Sequence, residues 1–332
     1  MNRKALSLLS GGLDSILATK LMLEQGIEVE AINFVTTFCT CTRKGCQSAA
    51  RTIADQFKIP LKIVGLQEEY LNMVRKPKHG YGANMNPCID CRVMIFTKAK
   101  AYMNEIGASF IFTGEVLGER PMSQRRDAMM LIEKESGLRG LVLRPLSAQH
   151  FEPTAPEIAG VVDRNKLLDI KGRSRKPQIA LAESFGINDY PCPAGGCLLT
   201  DPGFANRMRD LIKHDSLSIE DARLLKVGRH FRLSEKVKLV IGRDESENSV
   251  LDKTFKDGDI ILQVRDFPSP LAILRGEGST HFMKDAAAIV ASHTKAKESP
   301  SCHVSFRTFP NESKDDILIN PASREALNTL RI

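Results

Sequence analysis

The chain has 332 residues, 42% of them apolar, which is enough for two domain cores. A net charge of +7 and an isoelectric point near 9.0 permit a polyanionic partner without requiring one. No apolar run exceeds strand length, which excludes a transmembrane helix, and Met1–Lys4 leads into a strand without a signal-like apolar region, so a cytoplasmic protein with no membrane partner is expected.

Residues 1–65 read β-α-β-α-β. Ala5–Leu9 is a strand, Ser15–Gln25 a helix, Val29–Val35 a strand, Gln47–Phe57 a helix and Leu61–Val64 a strand. A helix over Arg92–Ile106 and a strand at Phe110–Thr113 follow. Such alternation predicts an α/β fold: a parallel, twisted sheet with helices on both faces and ligands beyond the carboxyl ends of its strands. Gly172–Pro177 is basic and turn-rich, a short helix spans Gln178–Phe185, and Tyr190–Cys197 is a Pro- and Gly-containing loop. Past Asp201 the pattern changes to helices at Phe204–Ile212 and Glu220–Leu225. Short strands at Val237–Ile241, Asp259–Val264, Leu271–Leu274 and His303–Phe309 follow, a smaller α+β arrangement. The expected division is 1–200 and 201–332.

Ser10-Gly11-Gly12-Leu13-Asp14-Ser15 lies between the first strand and the first helix. A Gly-Gly turn there aims backbone N–H groups and the positive helix end at one point, which suits a phosphate. A carboxylate, Asp14, beside a phosphate makes sense if it holds Mg²⁺. The Gly-Lys-Ser/Thr ending of a Walker A loop is absent.

Eight cysteines without a secretion signal point to thiol or metal chemistry. Cys88-Ile-Asp-Cys91 is expected just before a helix, where thiol pKa values fall and thiolates exist at neutral pH. Cys192 and Cys197 are distant in sequence. A redox disulfide, a structural zinc site and a sulfur-carrying centre, either a persulfide or a [4Fe-4S] cluster on three cysteines, all stay open. Asp90 is a ligand, an acid or a helix N-cap. Cys39, Cys41 and Cys46 are irregularly spaced and read equally well as ordinary loop cysteines.

The hexapeptide resembles the PP-loop, SGGxDS, of the ATP pyrophosphatase superfamily. Thr113-Gly-Glu-Val-Leu-Gly-Glu-Arg-Pro-Met-Ser-Gln124 and Leu143-Arg-Pro-Leu146 resemble segments of tRNA 4-thiouridine synthetases, and Asn86-Pro-Cys-x-x-Cys91 is similar to tRNA 2-thiouridylases. The likeness covers roughly residues 5–200. It lacks the N-terminal extension and rhodanese-like tail of the 4-thiouridine type; Cys88 and Cys91 with a distant cysteine look instead like cluster-dependent tRNA thiolases. Lys238–Asn248 and Asp266–Pro270 are similar to the RNA-binding domain of NFACT proteins.

The resemblance implies ATP with Mg²⁺ at Ser10, Gly11, Gly12, Leu13, Asp14 and Ser15, with Phe34 and Gly114 completing the nucleotide site. It implies a sulfur centre at Cys88, Cys91 and Cys192, with Cys197 as the substitute third ligand and zinc as the alternative metal. The expected partners are tRNA and a sulfur donor, either a cysteine desulfurase or sulfide. RNA contacts are expected from Arg173, Arg175, Lys176, Arg229, Arg232, Lys238 and Arg243; the last four belong to a basic cluster that the sequence shows without a matching acidic block. The implied reaction is adenylation of a uridine carbonyl oxygen, then its replacement by sulfur. Two alternatives are a PP-loop enzyme acting on a small molecule and an RNA-binding factor with a degenerate nucleotide site.

Overall fold

The computed structural model describes residues 1–39, 45–188, 190, 196–214 and 217–332, with only the backbone of 45–47. The chain forms two compact units, Met1–Thr200 and Asp201–Ile332.

The first unit runs β1 (Lys4–Leu8), α1 (Leu13–Glu24), β2 (Glu28–Thr36), α2 (Gly45–Phe57), β3 (Leu61–Leu66), α3 (Glu68–Arg75), α4 (Cys88–Glu105), β4 (Phe110–Thr113), α5 (Arg126–Glu135), β5 (Val142–Leu143), α6 (Ala155–Ile158) and α7 (Lys176–Ser184). Its five strands are parallel in the order β3-β2-β1-β4-β5. Strand alternation divides the core. Ala5, Ala31, Phe110 and Phe112 face α1 and α2, whereas Leu6, Ile32 and Ile111 face α4 and α5 through Phe96, Ala99 and Ile132. Both faces are covered, as a parallel sheet requires. The chain leaves β1 toward β2 on one side and has β4 on the other. The crevice of this doubly wound sheet therefore opens at the carboxyl ends of β1 and β4, where Leu8 and Thr113 are partners.

Helix α4 begins at Cys88, four residues earlier than the sequence suggests, so both cysteines sit on its first turn rather than ahead of it. Pro87 occupies the N-cap, and a proline at a helix entrance sacrifices no intrahelical hydrogen bond. Asp90 is not a cap of this helix. It accepts hydrogen bonds from Lys78 N and His79 N, at 2.9 and 3.0 Å, and so folds the preceding loop onto α4.

The second unit has α8 (Pro202–Lys213), α9 (Ile219–Leu224), β6 (Arg229–Arg232), β7 (Lys238–Ile241), α10 (Glu245–Leu251), β8 (Ile260–Val264), β9 (Ala272–Arg275), α11 (Met283–Ser292), β10 (Cys302–Thr308), β11 (Asp315–Ile319) and α12 (Arg324–Leu330). Its sheet is antiparallel, in the order β11-β10-β8-β9-β7-β6. Leu239, Ile241, Leu262 and Leu274 point to the α11 side, and Val240, Ile261 and Ile273 to the side of Leu224 and Leu251. No described helix of either unit is long and apolar enough to cross a membrane.

Candidate functional site

The hexapeptide forms a compact turn at the end of β1. Ser15 Oγ donates to Gly12 O at 2.8 Å and lies 3.1 Å from Ser10 Oγ, which accepts from Gly12 N at 3.3 Å. Gly11 has φ +79°, and a β-carbon there would meet Ala50 N at 2.8 Å. At Gly114 a β-carbon would lie 2.4 Å from the Asp14 carbonyl carbon and Ser15 N, so β4 ends against the first turn of α1. Only glycine permits that approach. Phe34 lies farther along β2, beside Val64, and packs half-buried on the α4 side of the sheet.

Asp14 is the electrostatic centre of this end. Burial raises its carboxyl pKa, against the pull of Arg175 and Arg120. Arg175 Nη2 stands 3.3 Å from Asp14 Oδ2. Oδ1 is buried without a hydrogen-bond partner, and the fully buried Gln178 lies beside the carboxylate. Burial also raises Glu119, which feels Asp14, Arg175 and Arg120. An orphaned carboxylate oxygen among two arginines fits the cation that accompanies a polyphosphate. Arg175, expected from sequence to meet RNA, is placed at the PP-loop. Arg173 stands in the turn ahead of it and Lys176 opens α7.

The threonine–glycine–glutamate and arginine–proline–leucine segments meet in space. Glu115 follows β4, Arg144 follows β5, and both are buried. Arg144 Nε lies 3.3 Å from Glu115 Oε2, and its Nη1 is 2.5 Å from Glu133 Oε1. Arg92, directly after Cys91, reaches Glu115 Oε1 at 3.5 Å. Gln124 closes the intervening loop by accepting from Arg120 N at 3.0 Å and, through its carbonyl, from Gly118 N at 2.7 Å. These motif residues therefore tie Arg92 to the end of β4 and hold the Arg120 backbone in the loop that follows it.

Cys88 and Cys91 are half-buried thiols. Burial raises both pKa values, contrary to the lowering expected from a helix N-terminus. Arg92 and Arg120 oppose the shift at Cys88, and the Tyr70 hydroxyl hydrogen-bonds Cys91. Burial pushes Cys197 up to about 12. Cys197 is drawn toward the pair because its segment lies between two others: Leu198 N donates to Phe38 O at 2.9 Å, and Met85 N to Leu199 O at 3.0 Å. Cys39 bridges Cys197 directly. Sequence spacing gave no reason to couple Cys39 to this centre; its place immediately past β2, at the carboxyl edge of the sheet, was the available signal. Cys192, Cys41 and the Cys46 side chain lie outside the described residues. Thiols suit zinc or an iron–sulfur cluster, but among the described residues no three Cys, His, Asp or Glu side chains stand close enough to hold a metal ion. The described residues do not form a cluster's ligand set.

In the second unit several of the basic residues have acidic partners, which the cluster read from sequence did not include. Arg232 and Lys238 pair with Asp210. Arg243 pairs with Glu247 at 2.5 Å, and Arg275 with Asp221 and Asp259 at 2.9 and 2.7 Å. Lys238 is 8% exposed, and burial lowers its pKa to about 8. Arg229 is half-buried, and its Nη1 donates to Gly242 O at 3.3 Å.

A glycine-rich turn thus ends β1 at the crevice of a parallel sheet, and two thiols stand on the first turn of α4. Residues 1–158 match the family model described as thiamine biosynthesis protein (ThiI), and residues 228–331 that of the NFACT protein RNA binding domain. The chain is 33% identical over 121 residues to the tRNA-specific 2-thiouridylase MnmA of Syntrophotalea carbinolica, covering 34% of each chain. It is 25% identical over 236 residues to that of Marinobacter nauticus, covering 67% of this chain and 57% of the relative. The chain thus spans about a third of the length of the first of these relatives. A 4-thiouridine synthetase–RNA complex with bound ATP is 23% identical, with a TM-score of 0.37, covering 67% of this chain and 52% of that one.

Proposed function

We propose that the protein is an ATP-dependent tRNA thiouridine synthetase. The observation that carries this reading is geometric: Gly114 at the end of β4 packs against Asp14 and Ser15 of the turn, and Arg92, next to Cys91, reaches Glu115 beside that glycine at 3.5 Å. A phosphate-binding turn and a pair of thiols so joined can serve one reaction.

ATP would lie with its phosphates on the Ser10–Ser15 backbone, and Asp14, whose Oδ1 is buried without a hydrogen-bond partner, would hold the accompanying Mg²⁺, which would neutralise phosphate charge. A uracil carbonyl oxygen attacks the α-phosphorus, and the P–O bond to pyrophosphate breaks. Arg175 and Arg120 balance the charge on the departing pyrophosphate. The oxygen then leaves carbon as AMP when a sulfur nucleophile adds there. Cys88, opposed in its burial by Arg92 and Arg120, is the thiol best placed to present that sulfur. The sulfur reaches it as the outer atom of a persulfide passed on by a cysteine desulfurase; once that atom is bonded to the uracil carbon, a dithiol reductant breaks the S–S bond, which frees the thiouridine and restores the Cys88 thiol. Cys91 and Cys197 complete the centre. The second unit holds the tRNA, and the uridine leaves its stack to enter the crevice. The sulfur is carried on cysteine in this scheme, with no step through a cluster.

The test is tRNA-stimulated turnover of ATP. Wild-type protein should release AMP and pyrophosphate in equal amounts. Asp14→Ala should abolish this and leave tRNA affinity little changed. ADP and phosphate as products, or turnover indifferent to tRNA, would remove the proposal.

A further inference from the structure

The cysteine centre contains a pairing that the proposed reaction does not use. Cys39 and Cys197 face each other across an isolated antiparallel bridge. The hydrogen bond beside them runs from Leu198 N to Phe38 O at 2.9 Å, so the bond joins their neighbours rather than the two cysteines themselves. That makes them a non-hydrogen-bonded pair, the closer of the two antiparallel types, with Cα atoms typically about 4.5 Å apart. Disulfides span Cα separations of about 4.4–6.8 Å. Opposite residues of an antiparallel pair also project from the same face, so both sulfurs lie on one side.

The flanking residues hold this register on both sides. Phe38 is fully buried against Tyr70, with ring centroids 5.7 Å apart. Thr200 Oγ1 and N donate to Cys197 O at 2.6 and 2.9 Å. Leu199 is fully buried and accepts from Met85 N through its carbonyl. The backbone is thus already set in the geometry of a cross-strand disulfide. By contrast, Cys88 and Cys91 are three apart on one helical turn, with Cys91 engaged by Tyr70.

We propose that Cys39 and Cys197 are a disulfide-forming site. The oxidant is a low-molecular-weight disulfide such as oxidised glutathione. One thiolate of the pair attacks it, forming a mixed disulfide and releasing one reduced glutathione. The second thiolate then displaces the other glutathione, and the Cys39–Cys197 bond closes. Two protein thiols are oxidised, one glutathione disulfide is reduced, and the two thiol protons end on the two glutathione thiols released. The bond staples the strand beyond β2 to the Cys197 segment beside Cys88 and Cys91, and a dithiol reductant reverses it. Its effect on tRNA thiolation rests on the function proposed above; its formation does not.

The full-length protein, freshly reduced, is incubated with oxidised glutathione, alkylated and digested for peptide mapping. The expected product is a linked peptide pair containing Cys39 and Cys197. It should be present in wild type and Cys302→Ser, absent from Cys39→Ser, and lost on adding dithiothreitol. A dominant Cys88–Cys91 linkage, mixed glutathione disulfides only, or thiols protected by stoichiometric zinc or iron would overturn the proposal. The map reads the bond itself, so an absence of tRNA thiolation activity leaves this result interpretable.

Discussion

Arg120 is the residue on which the site turns. Its backbone N donates to Gln124 Oε1 at 3.0 Å, and its positive charge opposes the burial-driven rise in pKa at both Asp14 and Cys88. Burial holds the Cys88 thiol above its ordinary range, and two guanidiniums restrain that rise. An ionised thiol is required for attack, so sulfur chemistry should accelerate as pH rises through the raised value. Arg120→Met removes one restraint. Iodoacetamide labelling of Cys88 should then show its midpoint at higher pH than in wild type, and ATP turnover should fall as well. An unmoved midpoint would separate Arg120 from the thiol.

Helix α4 carries both thiols, and Asp90 ties the loop before it to the helix. Asp90 accepts from two consecutive backbone N–H groups, and nothing else among the described hydrogen bonds ties Lys78 N and His79 N to the helix. Asp90→Ala leaves both donors without that acceptor. A loss of about 1–3 kcal/mol in urea unfolding, with lower activity, is expected. Asp90→Asn, which keeps one acceptor oxygen, should recover part of it. The sequence revealed β1, β2 and β4 because strands buried on both faces read as short, nearly continuous apolar runs, and it revealed the Ser10–Ser15 turn because glycine position and strand end coincide. It did not reveal where α4 starts, since Pro87 can precede a helix or a loop. Nor did it reveal the Cys39–Cys197 bridge, which depends on a pairing between segments 158 positions apart (197 − 39). The direction of the thiol shifts was illegible for a related reason: CxxC spacing reports the helix end but not the burial that outweighs it.

For the whole molecule, the second unit corrects a composition argument. Lys238 and Arg232 meet Asp210, and Arg275 meets Asp221 and Asp259, so much of the apparent basic face is internal pairing. Acidic partners came from α8, α9 and the turn before β8, which a reading of local charge runs does not connect. Lys238 gives a pH signature. Burial sets its folded pKa at about 8, below the ordinary lysine value of 10.5 that the unfolded chain keeps. Between these values the unfolded chain holds a proton that the folded chain has released, so this group's contribution rises with pH across that window and is lost as pH falls through about 8. Lys238→Met should therefore stabilise the protein at pH 7, by on the order of 2–3 kcal/mol, with the gain shrinking toward pH 10.5. Paired melts of wild type and variant over pH 7–10.5 would show it; a constant difference would contradict it.

In the proposed function, the Ser10–Ser15 turn and the thiols at the same sheet edge exchange oxygen for sulfur on tRNA. The most direct measurement is nucleoside mass spectrometry of tRNA after incubation with the protein, ATP, Mg²⁺ and a cysteine desulfurase with cysteine. A single thiouridine should appear, and it should vanish with Asp14→Ala and with Cys88→Ser while Cys88→Ser retains AMP release. Unmodified tRNA in every arm, with ATP still cleaved to AMP on a small-molecule acceptor, would contradict the account.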